Sequence, residues 1–136
     1  MNFWTRLPTM LSAAFLAAVL SASSLAAQSK EAFTQERFQA LQAENALILI
    51  DVFADWCPTC AIQQDVLAEF REEHPEVPMH TLTVDFDEQK EWVSHFKAPR
   101  QSTLILYRGE EQLWFSVAET RADRIVNEIL AAASRE

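Results

Sequence analysis

Residues 53–60 of this chain read Phe53-Ala54-Asp55-Trp56-Cys57-Pro58-Thr59-Cys60 and contain its only two cysteines. An apolar run precedes the pair and an amphipathic helical pattern follows it. A thiol at a helix N-terminus lies at the positive end of the helix dipole, near unpaired backbone N–H groups, which favours the thiolate. The second thiol follows one turn later and can close a disulfide with the first. A Cys-x-x-Cys motif at a strand-to-helix junction therefore predicts a reversible redox centre.

Two other uses are open to such a pair. A static disulfide closing so short a loop restricts little chain entropy, so it would stabilise the fold only slightly. A zinc site needs further ligands, and the spacing of His74, His80 and His95 is not typical of zinc ligands. The pattern favours redox exchange. We expect no bound metal, and no cofactor other than the Cys57–Cys60 disulfide itself.

Residues 1–27 are typical of a secretory signal peptide. Arg6 supplies the positive charge, Met10 to Leu20 is apolar, and residues 21–27 are rich in small side chains, which predicts cleavage after Ala26 or Ala27. The alternative is an uncleaved membrane anchor, but the apolar stretch is 11 residues long, against the roughly 20 that a spanning helix needs. We expect localisation in the periplasm or another secreted location, without stable membrane insertion.

The remainder, residues 28–136, has the size of one domain. It contains all 20 acidic residues and 10 of the 11 basic ones, which leaves a net charge of −10. Such a surface argues against nucleic acid or anionic lipid as a partner. We expect a monomer.

The hydrophobic pattern alternates between helical and strand periods. It predicts helices over residues 34–44, 57–74, 88–97 and 120–130, and strands over 46–50, 79–86, 103–107 and 113–117. Thr34 and Thr120 are the expected N-caps, and Gly109 provides the turn of the hairpin. On the second helix, the buried side is predicted to contain Ile62, Val66, Leu67 and Phe70. The result is an α/β fold: a mixed sheet of about four strands, parallel at its centre with an antiparallel edge hairpin, flanked by helices.

This order of elements resembles the thioredoxin superfamily over roughly residues 31–134. The most specific match is Asp51-Val52-Phe53-Ala54-Asp55-Trp56-Cys57-Pro58-Thr59-Cys60, whose Ala-Asp-Trp-Cys part also resembles thioredoxin-like domains of membrane electron-transfer proteins. The resemblance implies a thiol–disulfide oxidoreductase acting on protein or small-molecule thiols and disulfides. A reductase or electron carrier, kept reduced by a membrane reductase of the CcdA/DsbD type, is the leading interpretation. A disulfide oxidase or isomerase, and a non-catalytic module that binds metal or a client chain, are the alternatives.

Each residue of the motif has an expected role. Cys57 is the attacking thiol and Cys60 the resolving thiol. Pro58 suits the first helical turn, and Thr59 could donate a hydrogen bond toward the thiolate. Strongly oxidising Dsb-type relatives have histidine at the position of Thr59, so this pair is expected to be less oxidising. Trp56 is expected to cover the site.

Asp51 ends the apolar strand six residues before Cys57. A buried carboxylate there would have a raised pKa and could accept the proton of Cys60 during resolution. The resemblance supports this role, because thioredoxins have aspartate at the matching position. The alternative is a strand-end aspartate that faces solvent.

The loop Gln101-Ser102-Thr103 departs from the family. Thioredoxins place a cis-proline directly before the Thr-Leu strand, where the loop offers its backbone to substrate. Here the matching residue is Ser102, and a cis bond before a residue other than proline costs several kcal/mol. We expect a trans peptide, a hydroxyl near Cys57 and an altered substrate range. Ser102→Pro is expected to move the chain toward ordinary thioredoxin behaviour.

Overall fold

A five-stranded mixed sheet lies at the centre of the structure, a computed structural model that describes residues 28–135. The elements in chain order are β1 Ser29–Ala32, α1 Gln35–Ala43, β2 Leu47–Phe53, α2 Pro58–Glu73, β3 Met79–Asp85, α3 Lys90–His95, β4 Thr103–Arg108, β5 Glu111–Val117 and α4 Ala122–Ala133. The strands lie in the order β1-β3-β2-β4-β5.

Strand β2 joins the two halves of the sheet. It pairs in parallel with β3 and antiparallel with β4, and β4 forms the hairpin with β5. Six of its seven residues are buried, as expected for a strand covered on both faces. The predicted fold class, with its parallel centre and antiparallel edge, is confirmed. The strand is longer than predicted, because it continues through Asp51 to Phe53.

Strand β1 was not predicted. Its sequence, Ser-Lys-Glu-Ala, has no apolar alternation, and it pairs only with β3 at the edge of the sheet. An edge strand of this kind is held by backbone hydrogen bonds to its neighbour, which leave no mark in the hydrophobic pattern. Its docking places Lys30 beside α2, where its side chain meets Gln64.

Each face of the sheet has its own core. Helices α2 and α4 cover one face, and α1 and α3 cover the other. The buried residues of α2 are Cys60, Gln63, Val66, Leu67 and Phe70. The prediction that Ile62 is buried is wrong, since its side chain is 49% exposed. The buried stripe of the helix passes through Gln63 instead, which lies three residues after Cys60 and four before Leu67, on the same face of the helix.

The helix ends show how local chemistry sets the boundaries. Thr34 caps α1 as predicted, since its hydroxyl accepts a hydrogen bond from the backbone N–H of Arg37 at 3.1 Å. The predicted Thr120 cap of α4 is wrong. Arg121 is the N-cap and makes no side-chain capping bond, while the Glu119 carboxylate accepts from the N–H groups of Thr120 and Arg121.

The hairpin turn is confirmed at Gly109, where φ is +55°. Within residues 28–135, none of the helices has the length and apolar character that crossing a bilayer requires. The predicted signal peptide, residues 1–27, lies outside the described residues.

Candidate active site

Cys57 is the N-cap residue of α2, and Pro58 follows at the first helical position, as predicted. The Cys57 sulfur occupies the place of a capping side chain, where it accepts a hydrogen bond from the backbone N–H of Cys60 at 3.1 Å. The structure joins Cys57 and Cys60 as a disulfide across one helical turn, with their Cα atoms 5.2 Å apart. The predicted pairing of Cys57 with Cys60 therefore follows directly from the start of the helix.

The surroundings make the two thiols chemically unequal in the reduced state. Both are buried, Cys57 at 3% exposure and Cys60 at 0%, in a small cluster with Ala54. Burial raises the pKa of Cys57, but hydrogen bonds from the Cys60 thiol, the Cys60 N–H and Ser102 outweigh it, so the pKa lies below its ordinary value. Burial and the neighbouring Cys57 raise the pKa of Cys60 to about 11. The thiolate therefore forms first at Cys57.

Ser102 lies directly beside the cysteine pair. It is fully buried, and its hydroxyl oxygen is 3.6 Å from the Cys57 sulfur. The peptide before it is trans, in agreement with the prediction. Its φ is +59°, and its backbone N–H donates to the Val52 carbonyl at 2.8 Å. Proline cannot adopt that φ, and it has no backbone N–H to donate to the Val52 carbonyl. Ser102→Pro is therefore expected to disturb this loop, and its effect on substrate range stays a prediction.

The residues on either side of Ser102 have different surroundings. The side chain of Gln101 lies near enough to Cys57 to help lower the pKa of its thiol. The buried Thr103 hydroxyl instead donates to the backbone carbonyl of Arg100 at 2.7 Å. The structure therefore brings two of the three predicted loop residues to the reactive sulfur.

Gln63 is a site residue that the sequence did not indicate. It is fully buried on α2, and its amide nitrogen donates to the backbone carbonyl of Ser102 at 3.2 Å and to that of Glu119 at 2.9 Å. It therefore ties the serine loop and the segment before α4 to the cysteine helix. Its place one turn after Cys60 on the buried stripe is the only signal that could have identified it.

Asp51 is fully buried, so the prediction of burial is confirmed and the solvent-facing alternative is wrong. Its Oδ2 accepts a hydrogen bond from the Gln64 amide at 2.7 Å, and its Oδ1 has no partner among the described residues. Burial raises the pKa of Asp51, while the Gln64 hydrogen bond and the charges of Lys30 and Arg71 oppose that rise. Its role as the proton acceptor of Cys60 stays a prediction.

The other motif residues surround this pair. Trp56 is 60% exposed, and its indole N–H donates to the Asp87 carboxylate at 2.7 Å. The covering role of Trp56 stays a prediction. In place of the expected Thr59 hydroxyl, the hydrogen bonds to the Cys57 sulfur come from the Cys60 N–H and the Ser102 hydroxyl.

Comparison with known proteins agrees with this geometry. A family model described as Thioredoxin matches residues 28–131. The thioredoxin of Chlamydia trachomatis serovar D is 31% identical over 93 residues, which cover 68% of this chain and 88% of that protein. Thioredoxin H-type of Brassica campestris is 31% identical over 77 residues, which cover 57% of this chain; the match spans 61% of that relative's length.

Solved structures show the same likeness. Trxlp from Edwardsiella tarda EIB202 is 33% identical and superposes with a TM-score of 0.70, over 74% of this chain and 97% of that one. A mutant thioredoxin from Halobacterium salinarum NRC-1, at 21% identity and a TM-score of 0.68, covers 80% of this chain and 94% of its own, and shares the fold. The family match over residues 28–131, together with these likenesses, shows that the chain belongs to the thioredoxin family.

Proposed function

We propose that this chain is an exported thiol–disulfide oxidoreductase that acts through Cys57 and Cys60. The observation that carries the proposal is the inequality of the two buried thiols. The pKa of Cys57 is lowered by hydrogen bonds from Cys60 and Ser102, and that of Cys60 is raised to about 11. Stepwise disulfide exchange requires a nucleophile that ionises first and a second cysteine that stays a thiol until the resolving step.

The reaction has two steps. In the first, the Cys57 thiolate attacks one sulfur of a client disulfide, the client S–S bond breaks, and the released client thiolate takes a proton from water. In the second, Cys60 gives up its proton, attacks the Cys57 sulfur and releases the second client thiolate. The dithiol loses two electrons and the client disulfide gains them. Asp51 is the proposed acceptor of the Cys60 proton, because its buried carboxyl has a raised pKa.

The proposed direction is reduction or electron carriage in the periplasm or another secreted location. It is supported by threonine at position 59, where strongly oxidising relatives have histidine. Reduction in an oxidising compartment needs a supply of electrons, for which a membrane reductase of the CcdA/DsbD type is the proposed source. The proposed clients are protein or small-molecule disulfides.

Equilibration with redox buffers of known potential tests the proposal. A reduction potential near the roughly −270 mV of thioredoxin supports the reductase, and a value near −120 mV would identify an oxidant instead. Insulin reduction by the wild type, with Cys57→Ser as the inactive control, tests the chemistry. If purification under reducing conditions gives stoichiometric bound metal and no insulin reduction, the chain is a binding module and the proposal fails.

A further inference from the structure

A polar chain connects the surface at β1 with the buried Asp51 carboxylate. The Lys30 ammonium donates to the Gln64 Oε1 atom at 2.5 Å, and the Gln64 Nε2 atom donates to Asp51 Oδ2 at 2.7 Å. The three residues come from β1, α2 and β2, so only the tertiary fold brings them together.

Among the described residues, the Gln64 amide is the one hydrogen-bond partner of the Lys30 ammonium. Within residues 28–135, it forms no ion pair with a carboxylate. Its nitrogen lies 5.8 Å from the centroid of the Phe53 ring, beside a surface groove of about 370 Å³ that Glu31 and Asp85 also line. The ammonium group is therefore directed at Gln64, although acidic side chains are near.

The donors and acceptors in this series of hydrogen bonds allow only one orientation of the Gln64 amide. An ammonium group can only donate hydrogen bonds, so it must meet the amide oxygen of Gln64. The amide nitrogen then faces the other way, toward Asp51, where it can only donate. Without the ammonium group, the Gln64 side chain is free to turn its oxygen toward Asp51 or to leave for solvent.

We propose that Lys30 is a positioning residue of the redox site: its ammonium group fixes the Gln64 amide in the orientation that donates to the Asp51 carboxylate. The inference rests on the proposed function, in which Asp51 accepts the Cys60 proton during resolution. It assigns a part in that step to a residue on the edge strand β1, outside the Cys-x-x-Cys motif and its loop.

Other groups around Asp51 do not supply this control. The positive charge of Arg71 on α2 also lowers the pKa of Asp51, but Arg71 makes no hydrogen bond to the carboxylate. On the neighbouring strands, Asp51 is paired with the uncharged residues Thr83 of β3 and Leu104 of β4. From α4, only the apolar side chains Ile125, Ile129 and Ala132 are buried against this face. Cys60 is the remaining titratable group that is buried on α2.

The experiment compares Lys30→Met, Lys30→Arg and the control Arg124→Met, which removes a charge of the same sign from the exposed face of α4. NMR titration of the Asp51 carboxyl in the dithiol protein gives its pKa independently of turnover. We expect Lys30→Met to raise that pKa and Lys30→Arg to restore it, with no change in Arg124→Met. The resolving rate, measured by release of a chromophoric thiol from a Cys57 mixed disulfide, should reach half its maximum at a correspondingly higher pH in Lys30→Met.

A Gln64→Met background separates positioning from a direct effect of charge. If Lys30 acts through the amide, most of the Lys30→Met shift should disappear in that background. A shift of the same size with and without Gln64 would overturn the proposal in favour of simple charge proximity, and an unchanged pKa in Lys30→Met would also overturn it. If the pKa shifts as expected but the wild type exchanges no disulfide, the positioning role holds and the proposed function fails.

Discussion

The two sulfurs lie next to each other, yet their surroundings assign them different parts. Cys57, as the N-cap of α2, receives the Cys60 N–H and the Ser102 hydroxyl, whereas Cys60 is buried one turn inside the helix. Burial by itself would raise the pKa of both thiols, so the lowered pKa of Cys57 follows from the donors around its sulfur.

We expect iodoacetamide to alkylate Cys57 of the reduced protein first near neutral pH. With a pKa of about 11, only about one Cys60 thiol in 10⁴ is ionised at pH 7. Peptide mapping after short exposure measures the order of labelling. Cys60→Ser should accumulate a mixed disulfide through Cys57, and the reciprocal Cys57→Ser should not. Faster labelling of Cys60 would reverse the two roles.

Asp51→Asn should stabilise the fold in a pH-dependent way. Because burial raises the pKa of the folded-state carboxyl above its unfolded value, wild-type stability falls as pH rises from about 4 through the raised pKa. Asparagine does not ionise, so the stability of the variant should not fall in this way. The variant should therefore be more stable than the wild type at pH 8, by about 1 kcal/mol or more. It should lose that advantage near pH 3. Urea unfolding at both pH values measures this. A stability difference that does not change with pH would contradict the burial argument.

The same variant should slow resolution of the mixed disulfide more than it slows the first attack by Cys57. Single-turnover kinetics separates the two steps. An unchanged resolving rate would remove Asp51 from the proton transfer.

Ser102→Pro should destabilise the fold, whereas Ser102→Gly should not. Proline cannot take φ +59° or donate to Val52, so Ser102→Pro should lose about 3 kcal/mol of unfolding free energy. Glycine accepts that φ without strain, so Ser102→Gly should keep the fold while losing the hydroxyl. The pH profile of Cys57 alkylation should then move upward. A proline variant as stable as the wild type would show that the loop has another conformation.

At the scale of elements, the first two turns of α2 position the site. Cys57 is the N-cap of the helix, and Gln63 on its buried side donates hydrogen bonds to the carbonyls of Ser102 and Glu119. These contacts join α2 to the loop before β4 and to the segment before α4. The loop is therefore supported by a helix side chain, in addition to the backbone hydrogen bond from the Ala118 N–H to the Ser102 carbonyl at 2.9 Å.

Gln63→Met should destabilise the protein by about 1–3 kcal/mol, because the part-buried carbonyl of Glu119 loses its donor. Urea unfolding measures the loss. The matched control is Gln39→Met, which makes the same change on the exposed side of α1 and should leave stability within about 0.5 kcal/mol of the wild type. Equal effects at the two positions would show that the Gln63 hydrogen bonds contribute nothing.

At the scale of the whole molecule, the sheet places the reactive cysteines at one end of the central strand β2, with apolar cores on both faces below them. The acidic surface belongs to the domain after residue 27, and the single charged side chain before it is Arg6. A positive side chain ahead of an apolar stretch is typical of the proposed signal peptide.

Residues 1–27, fused to a reporter that is active only outside the cytoplasm, should give activity in a Gram-negative host. The full chain should yield a mature protein that begins at Ala27 or Gln28, which N-terminal sequencing identifies. Replacing Arg6 by Glu should reduce export, since the positive n-region is lost. A full-length product retained with the cytoplasmic fraction would contradict the proposed localisation.

The sequence alone was sufficient for the fold class and for the identity of the redox pair. A buried strand, a Cys-x-x-Cys motif and an amphipathic helix follow one another within about 25 residues, and each depends on local periodicity or capping. The roles of Cys57 and Pro58 at the helix start are equally local, which is why their positions agree with expectation. The burial of the aspartate was also predictable, because Asp51 is the single charged residue in an otherwise apolar run.

Only the tertiary structure decided what surrounds the pair. Strand β1 carries no apolar period, Gln63 and Gln64 are polar residues of a long helix, and the left-handed φ of Ser102 depends on contacts with β2 and with the segment before α4. These features arise where side chains and backbone groups from distant parts of the chain meet in a buried space and must satisfy one another's hydrogen bonds. Periodicity reports which side of an element is buried, whereas the partner of each buried polar group is set by how the elements pack.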